Sequence, residues 1–182
     1  MLRVDTHSFP VVAATFSAFI QPDEDEEDVW RVEWDFDISS NVVDVHDEFW
    51  NPTLHAEGLL LPIDNPIDLE DAEIKVEPSF PAWDDPGFSL FLSKKEVVSD
   101  VRLKFGQRRG DTFDLFLMAN TENKHLGDDI ELVVLDKIKF TGITVFEETL
   151  SDACERLSEF CDPADYTPTP CKGGFRFCLP SA

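Results

Sequence analysis

The sequence predicts a mainly β fold, either an antiparallel β-sandwich or an open barrel, with one C-terminal α-helix at about residues 150–161 packed on it. Three observations support this fold class. Apolar and polar residues alternate in most segments, as they do in strands that bury one face. The period lengthens to that of an amphipathic helix near Leu150. Strands do not alternate with helices, which argues against a dinucleotide-binding or P-loop α/β fold.

The composition supports a substantial core. Of the 182 residues, 42% are hydrophobic, and sixteen Phe and four Trp are among them. This suits one domain of ordinary size. We predict residues 1–162 as a single acidic β-rich domain that includes the helix. Residues 163–182 form a tail containing Pro, Gly and Cys, with room for one edge strand at residues 175–179.

The first predicted strand spans residues 11–20. The same segment has the length of the apolar part of an export signal, so that alternative stays open. Arg3 is the one basic residue before it, however, and Gln21-Pro22-Asp23 follows in place of a small-residue cleavage site. These flanking residues favour a strand.

The clearest strand spans residues 29–38. The even-numbered residues from Trp30 to Ile38 are all apolar, whereas the odd-numbered residues from Arg31 to Asp37 are all charged. Successive side chains of a strand point to opposite faces, so this segment predicts one buried aromatic face and one charged face in water. Residues 42–45 are predicted to pair with it as a hairpin, because Ser39-Ser40-Asn41 supplies turn residues.

The remaining strands follow, separated by prolines and turn residues. We predict them at residues 54–61, 72–76, 88–92, 101–105, 112–118, 130–135 and 137–146. The glycine-bracketed loop 106–110 predicts a β-hairpin between two of them. A bulge is expected near Gly142.

The helix is indicated by apolar residues at i, i+3, i+4 and i+7 from Leu150, with Thr149 or Ser151 as its N-cap. All four cysteines lie in or after it, at Cys154, Cys161, Cys171 and Cys178. Their spacing, C-x6-C-x9-C-x6-C, differs from the closely spaced pairs of structural zinc sites. Free thiols are favoured, and disulfides between helix and tail are the alternative.

The formal net charge is −23, and it is concentrated in the first part of the chain. Residues 1–74 carry two basic side chains against nineteen acidic ones, and residues 75–182 carry thirteen against nineteen. Such a field repels nucleic acid and anionic membranes and attracts basic partners. Solubility or a salt-rich habitat would also explain the charge. No apolar run reaches the length of a spanning helix, so a cytoplasmic protein is expected.

The standard catalytic and nucleotide-binding motifs are missing from the sequence, so we do not expect an enzyme and predict no cofactor. The favoured hypothesis is an acidic protein-interaction module, of the inhibitor or immunity type, that binds a basic partner surface. Its predicted contact residues are Asp23, Glu24, Asp25, Glu26, Glu27, Asp28, Glu33, Asp35 and Asp37.

The alternative is a small-ligand or metal site. His55 and Glu57 share one face of a predicted strand, and His46 could join them to make a zinc or iron site. An apolar pocket could also form around these histidines, lined by Trp50, Trp83 and Phe88.

A basic cluster stands out against the acidic background. Its members in the predicted hairpin are Arg102, Lys104, Arg108 and Arg109. They could contact an anion, or pair with the acidic half of a second copy. The simpler reading is a solvated hairpin whose charges protect its edge from aggregation. A structural subunit or homo-oligomer is therefore a third hypothesis.

Overall fold

The computed structural model of the chain describes residues 1–23, 29–45, 47–76, 87–92, 94–123 and 127–181. The strands of this described part are β1 (Leu2–Val4), β2 (His7–Phe9), β3 (Val11–Pro22), β4 (Trp30–Ser40), β5 (Val43–Val45), β6 (Glu48–Trp50), β7 (Thr53–Leu59), β8 (Glu73–Lys75), β9 (Ser89–Phe91), β10 (Lys95–Arg109), β11 (Thr112–Asn123), β12 (Gly127–Val145), β13 (Thr167–Cys171) and β14 (Gly174–Cys178). The α-helix α1 (Leu150–Leu157) precedes the last two strands, and short 3₁₀ helices lie at Pro66–Leu69 and Pro163–Asp165.

Seven strands close into a barrel in the order β11-β10-β9-β7-β4-β3-β12. The mainly β prediction is confirmed, and the predicted open barrel is instead closed. Closure depends on β12, because its first part pairs with β11 and its last part pairs with β3. The extra strands pair with barrel strands from outside the closed ring. β1 and β14 pair with β12, and β8 pairs with β10.

The prediction of a purely antiparallel sheet is wrong at one pair, since β3 and β12 run parallel. The two predicted strands at residues 130–135 and 137–146 are also a single strand. Asp136, which separates them in the sequence, pairs with Leu115 within the β11–β12 ladder. The bulge expected near Gly142 is confirmed, because the register with β3 shifts between Phe140 and Ile143.

The predicted hairpin between residues 29–38 and 42–45 does not form. β5 pairs with β6, whereas β4 pairs with β3 and β7. Hydrogen bonds turn the chain away from β4 at its end, because the Ser40 amide and hydroxyl both donate to the Pro52 carbonyl and the Asn41 amide donates to Pro10.

The predicted five-residue loop 106–110 is shorter in the structure. β10 continues to Arg109 through a bulge between Phe105 and Arg108, which leaves Gly110 and Asp111 as the turn. Gly110 has a φ of 64°, a conformation that glycine adopts without strain. The hairpin itself is confirmed by the long β10–β11 ladder.

Aromatic rings fill the barrel interior around Phe16. Its ring centroid lies between 5.1 and 6.0 Å from five other buried rings, supplied by β4, β10, β11 and β12. These rings are Trp34, Phe36, Phe105, Phe113 and Phe140. Because the inside of the barrel is packed, functional side chains are expected on its outer surface or at its ends.

The helix is confirmed but shorter than predicted. Its N-cap is Thr149, whose hydroxyl accepts a hydrogen bond from the Asp152 amide, and it buries Ala153 and Leu157. The tail forms the β13–β14 hairpin. Its expected edge strand is β14, but β14 lies between β12 and β13 and is not an edge. No helix in the described ranges is long and apolar enough to cross a membrane.

Candidate functional site

The outer face of β4 carries three carboxylates in alternation, at Glu33, Asp35 and Asp37. The intervening residues Trp34 and Phe36 are fully buried in the barrel. The predicted division of this strand into an aromatic face and a charged face is therefore confirmed. The charged face lies on the outside of a closed wall.

A fourth carboxylate and a histidine come from β7, which pairs with β4. His55 lies directly opposite Asp37, and its Nδ1 is 2.8 Å from the Asp37 carboxylate. On the other side, His55 Nε2 is 3.2 Å from Glu57 Oε1. Burial lowers the pKa of His55, but the hydrogen bonds to Asp37 and Glu57 outweigh it, so the pKa lies above its ordinary value.

A bulge in β7 brings Asp35 into the same group. Trp34 pairs with Leu59 and Phe36 pairs with Ala56, so Asp35 faces two residues of β7, Glu57 and Gly58. Gly58 has a φ of 65° and donates its amide to Asp35 Oδ1 over 2.9 Å. Burial, together with the charges of Glu57 and Asp37, raises the pKa of Asp35 despite this bond.

Arg31 compensates part of the negative charge at the other end of β4. Its Nε lies 2.8 Å from Glu33 Oε1, and its Nη1 lies 3.0 Å from Asp23 Oδ2. Gln21 also donates to Glu33 over 3.3 Å. Glu33 is thus paired with Arg31 and hydrogen-bonded by Gln21. Among the described residues, no lysine or arginine forms an ion pair with Asp35 or Glu57. We call Glu33, Asp35, Asp37 and Glu57 the acidic face.

An open groove of about 400 Å³ runs beside the acidic face. One side is aromatic, because the rings of Phe19 on β3 and Phe146 after β12 are stacked with centroids 6.2 Å apart. Phe146 is 48% exposed, so its ring is available to a ligand. The residues that line this acidic groove are Phe19, Gln21, Glu33, Asp35, Glu57, Gly58 and Phe146.

The structure brings together only part of the predicted contact set. Glu33, Asp35 and Asp37 share one face, and Asp23 joins them through Arg31. The other predicted acidic residues, Glu24, Glu26, Glu27, Asp25 and Asp28, lie outside the described residues.

The metal hypothesis is not resolved by the geometry. His46 lies outside the described residues, while His55 and Glu57 are neighbours on the outer face of β7. Within the described ranges, no group of three or more His, Cys, Asp or Glu is arranged to hold a metal ion. The set of His46, His55 and Glu57 therefore stays a prediction.

The predicted apolar pocket does not form as expected. Phe88 is buried in the barrel against Phe36, with ring centroids 5.4 Å apart, and His55 is on the outside of the wall. Trp50 is stacked over Phe9 instead. Trp83 lies outside the described residues. The reason is that the Phe88 side chain points into the barrel. The sequence pattern alone does not distinguish such an inward-facing side chain from one that lines a pocket.

The predicted basic cluster is divided. Arg102 and Lys104 are exposed on the outer face of β10. Arg108 and Arg109 lie near the turn, where the Arg108 amide donates to Glu70 and Arg109 donates to Gln107. The two pairs are separated by the β10 bulge, so they do not form one continuous patch.

The four cysteines are unpaired in the structure, in agreement with the favoured prediction. Cys161 is buried behind the end of α1, and its burial raises the thiol pKa to about 11. Such a thiol is unreactive at neutral pH. None of the cysteines is within the acidic groove.

Sequence reasoning missed four residues of the groove, which are Phe19, Gln21, Gly58 and Phe146. Phe19 and Phe146 lie 127 positions apart and meet only because β3 and β12 are parallel neighbours. Gly58 carried a usable signal, because a glycine inside an alternating strand often marks a bulge.

No protein family, curated protein or solved structure matches this chain.

Proposed function

We propose that this protein is a non-enzymatic interaction module that binds a basic surface of another protein through its acidic face. One observation carries the proposal. Three carboxylates from two adjacent strands, Glu33, Asp35 and Glu57, line the same open groove as the stacked rings of Phe19 and Phe146. Carboxylates beside an aromatic wall favour the binding of an arginine or lysine side chain, because the cation can pair with oxygen and stack on a ring.

Arginine fits this groove better than lysine on chemical grounds. The guanidinium group is planar, so it can stack on the Phe146 ring while its N–H groups reach a carboxylate in a bidentate pair. Asp35 and Glu57 are the natural acceptors, because Glu33 is already paired with Arg31. A cation placed here would also favour the ionised form of Asp35, whose burial otherwise opposes it.

The charge of the whole chain supports the same function through the rate of association. A net charge of −23 produces a negative field around the protein. Such a field steers a positively charged partner and raises its association rate, an effect that salt reduces. The groove then supplies the local contacts that distinguish one basic partner from another.

The test is the binding of a fluorescent oligo-arginine peptide, followed by anisotropy at low and at physiological salt. The double variant Asp35→Asn with Glu57→Gln keeps the shape of both side chains and removes their charge. We expect its affinity to fall about tenfold or more, equivalent to about 1.4 kcal/mol. An oligo-lysine peptide should bind wild-type protein more weakly than oligo-arginine.

The matched control is Asp68→Asn with Asp100→Asn, which removes the same formal charge at exposed positions outside the acidic face. We expect this control to reduce affinity much less. An equal loss in both double variants would show that the peptide responds only to net charge, and the proposal of a specific face would then be wrong.

A further inference from the structure

A second surface of the barrel combines cations with exposed apolar side chains. On the outer face of β10, β11 and β12, the register places Arg102 beside Met118 and Lys104 beside Phe116. The next strand continues both rows, since Met118 pairs with Val133 and Phe116 with Leu135. We call these six residues, Arg102, Lys104, Phe116, Met118, Val133 and Leu135, the basic-apolar face.

Two of the four apolar side chains of this face are exposed, whereas Phe116 is half-buried and Val133 is buried. Leu135 is 59% exposed and Met118 is 37% exposed. The side chain of Lys104 is 60% exposed, and its nearest carboxylate, on Glu73, is 4.0 Å away. Exposed apolar side chains next to each other on a sheet, flanked by charge, are typical of an interaction surface.

The basic-apolar face and the acidic face are on opposite sides of the barrel. In the closed ring of seven strands, β10 is the third strand from β4 when counted through β7 and β9. β11 is the third strand from β4 when counted through β3 and β12. The two surfaces therefore point in opposite directions and cannot contact each other within one copy.

The two faces are complementary in chemistry. One presents Arg102 and Lys104 next to aliphatic and aromatic side chains, and the other presents Asp35 and Glu57 next to the stacked rings of Phe19 and Phe146. We propose that the basic-apolar face binds the acidic face of a second copy of this chain. This inference rests on the proposed function of the acidic face and names one partner for it. Because the two faces differ, the contact is head-to-tail and can continue into chains of copies.

The net charge of −23 per copy opposes this association at long range. Screening removes most of that repulsion at physiological salt, where the Debye length is about 8 Å, while contacts within the interface are affected less. At about 0.01 M salt the Debye length is about 30 Å and repulsion dominates, and at about 1 M salt the interface ion pairs are themselves weakened. Self-association is therefore expected to be strongest at intermediate salt.

The first measurement is sedimentation velocity of the full chain from about 10 µM to about 1 mM, the range in which a weak interface is populated. We expect the average mass to rise with concentration at about 0.15 M salt and less at about 0.01 M and about 1 M. A monomer at every concentration and salt would overturn the inference. The oligo-arginine titration would still report on the acidic face, so the two failures are distinguishable.

Charge reversal locates the contact. The variant Arg102→Glu with Lys104→Glu should reduce the association constant at least about tenfold, as should Asp35→Asn with Glu57→Gln. Two exposed lysines that belong to neither face provide the control, Lys94→Glu with Lys95→Glu, which should keep the wild-type association. Association that persists in either face variant would overturn the proposed contact.

Mixing the two face variants tests the arrangement and also controls for misfolding. Each variant retains one intact face, so neither should associate alone. An equimolar mixture should form a one-to-one complex and stop there, because the remaining faces of that complex are both inactive. Circular dichroism of each variant shows whether it is folded. If both variants are folded and still do not combine, the head-to-tail contact is wrong.

Discussion

The imidazole of His55, on the outer face of β7, has its Nδ1 2.8 Å from Oδ1 of Asp37 on the neighbouring strand β4. The two residues are direct partners in the β4–β7 ladder, and Glu57 holds the other ring nitrogen. His55 therefore adds a positive charge to the acidic face when it is protonated at low pH, and it adds no charge when it is neutral at high pH.

The first prediction concerns the pKa of His55. We expect its imidazole to titrate above the ordinary histidine value of about 6.5. Because the folded pKa is raised, the stability that protonated His55 contributes is complete below about pH 6.5 and is lost as the pH rises through the folded pKa. Nuclear magnetic resonance titration of the imidazole protons measures this value. In Asp37→Asn the pKa should fall, and an unchanged value would contradict the assigned contact.

A second prediction links this titration to binding. Protonated His55 adds positive charge to the acidic face and competes with a basic partner for Asp37 and Glu57. Affinity for the oligo-arginine peptide should therefore rise as the pH increases through the pKa of His55. The carboxylates that face this ring are Asp37 and Glu57, with Asp35 nearby. His55→Gln should flatten the profile, and a rise that persists in this variant would assign the effect to another group.

The third prediction tests the barrel core. Phe16→Ala removes the ring that contacts five other aromatic rings, and it should lower the free energy of unfolding by about 3–5 kcal/mol. Urea denaturation followed by tryptophan fluorescence measures the loss. Phe49→Ala is the matched control, because Phe49 is 79% exposed, and its change should stay within about 0.5 kcal/mol. Similar losses in both variants would be inconsistent with a core centred on Phe16.

The fourth prediction concerns the tail. A Cβ atom at Gly174 would lie 2.1 Å from the Val145 carbonyl oxygen and 2.9 Å from the Phe146 Cα. Gly174→Ala should therefore push β14 away from β12 and lower stability by about 1–3 kcal/mol. Gly87→Ala is the control, because an added Cβ there meets nothing within 4 Å. Thermal unfolding of both variants compares them, and equal transition temperatures would mean that the tail does not pack as described.

The fifth prediction ranks the thiols. Cys161 is buried with a pKa of about 11, while Cys154, Cys171 and Cys178 are half-buried. Since the thiolate is the reactive form, Cys161 should react most slowly with iodoacetamide at neutral pH. Peptide mapping after timed alkylation of the native protein measures the order. Denatured protein is the control, in which all four sites should react at comparable rates.

Local sequence predicted most of the long strands and which face of β4 is buried, but it missed the short strands β1, β2, β6 and β13. The alternation from Trp30 to Ile38 was sufficient to assign the buried and exposed faces of β4, because the period of a strand depends only on backbone geometry. The sequence limits the N-cap to Thr149 or Ser151 for a similar reason, since a capping hydroxyl acts on an amide three residues away, and the structure shows that it is Thr149.

Tertiary structure alone decided which strands are neighbours, and therefore which surfaces exist. The parallel pairing of β3 with β12 brings Phe19 to Phe146, and the pairing of β4 with β7 brings Asp37 to His55. Such pairings depend on how the whole chain closes its barrel, because any alternating strand can pair with many others at similar local energy. The sequence by itself determined an acidic β protein with an aromatic core. The acidic groove and the basic-apolar face were decided by barrel closure. Closure brings residues that are far apart in the chain together on one wall, and it places the two surfaces on opposite sides of the barrel.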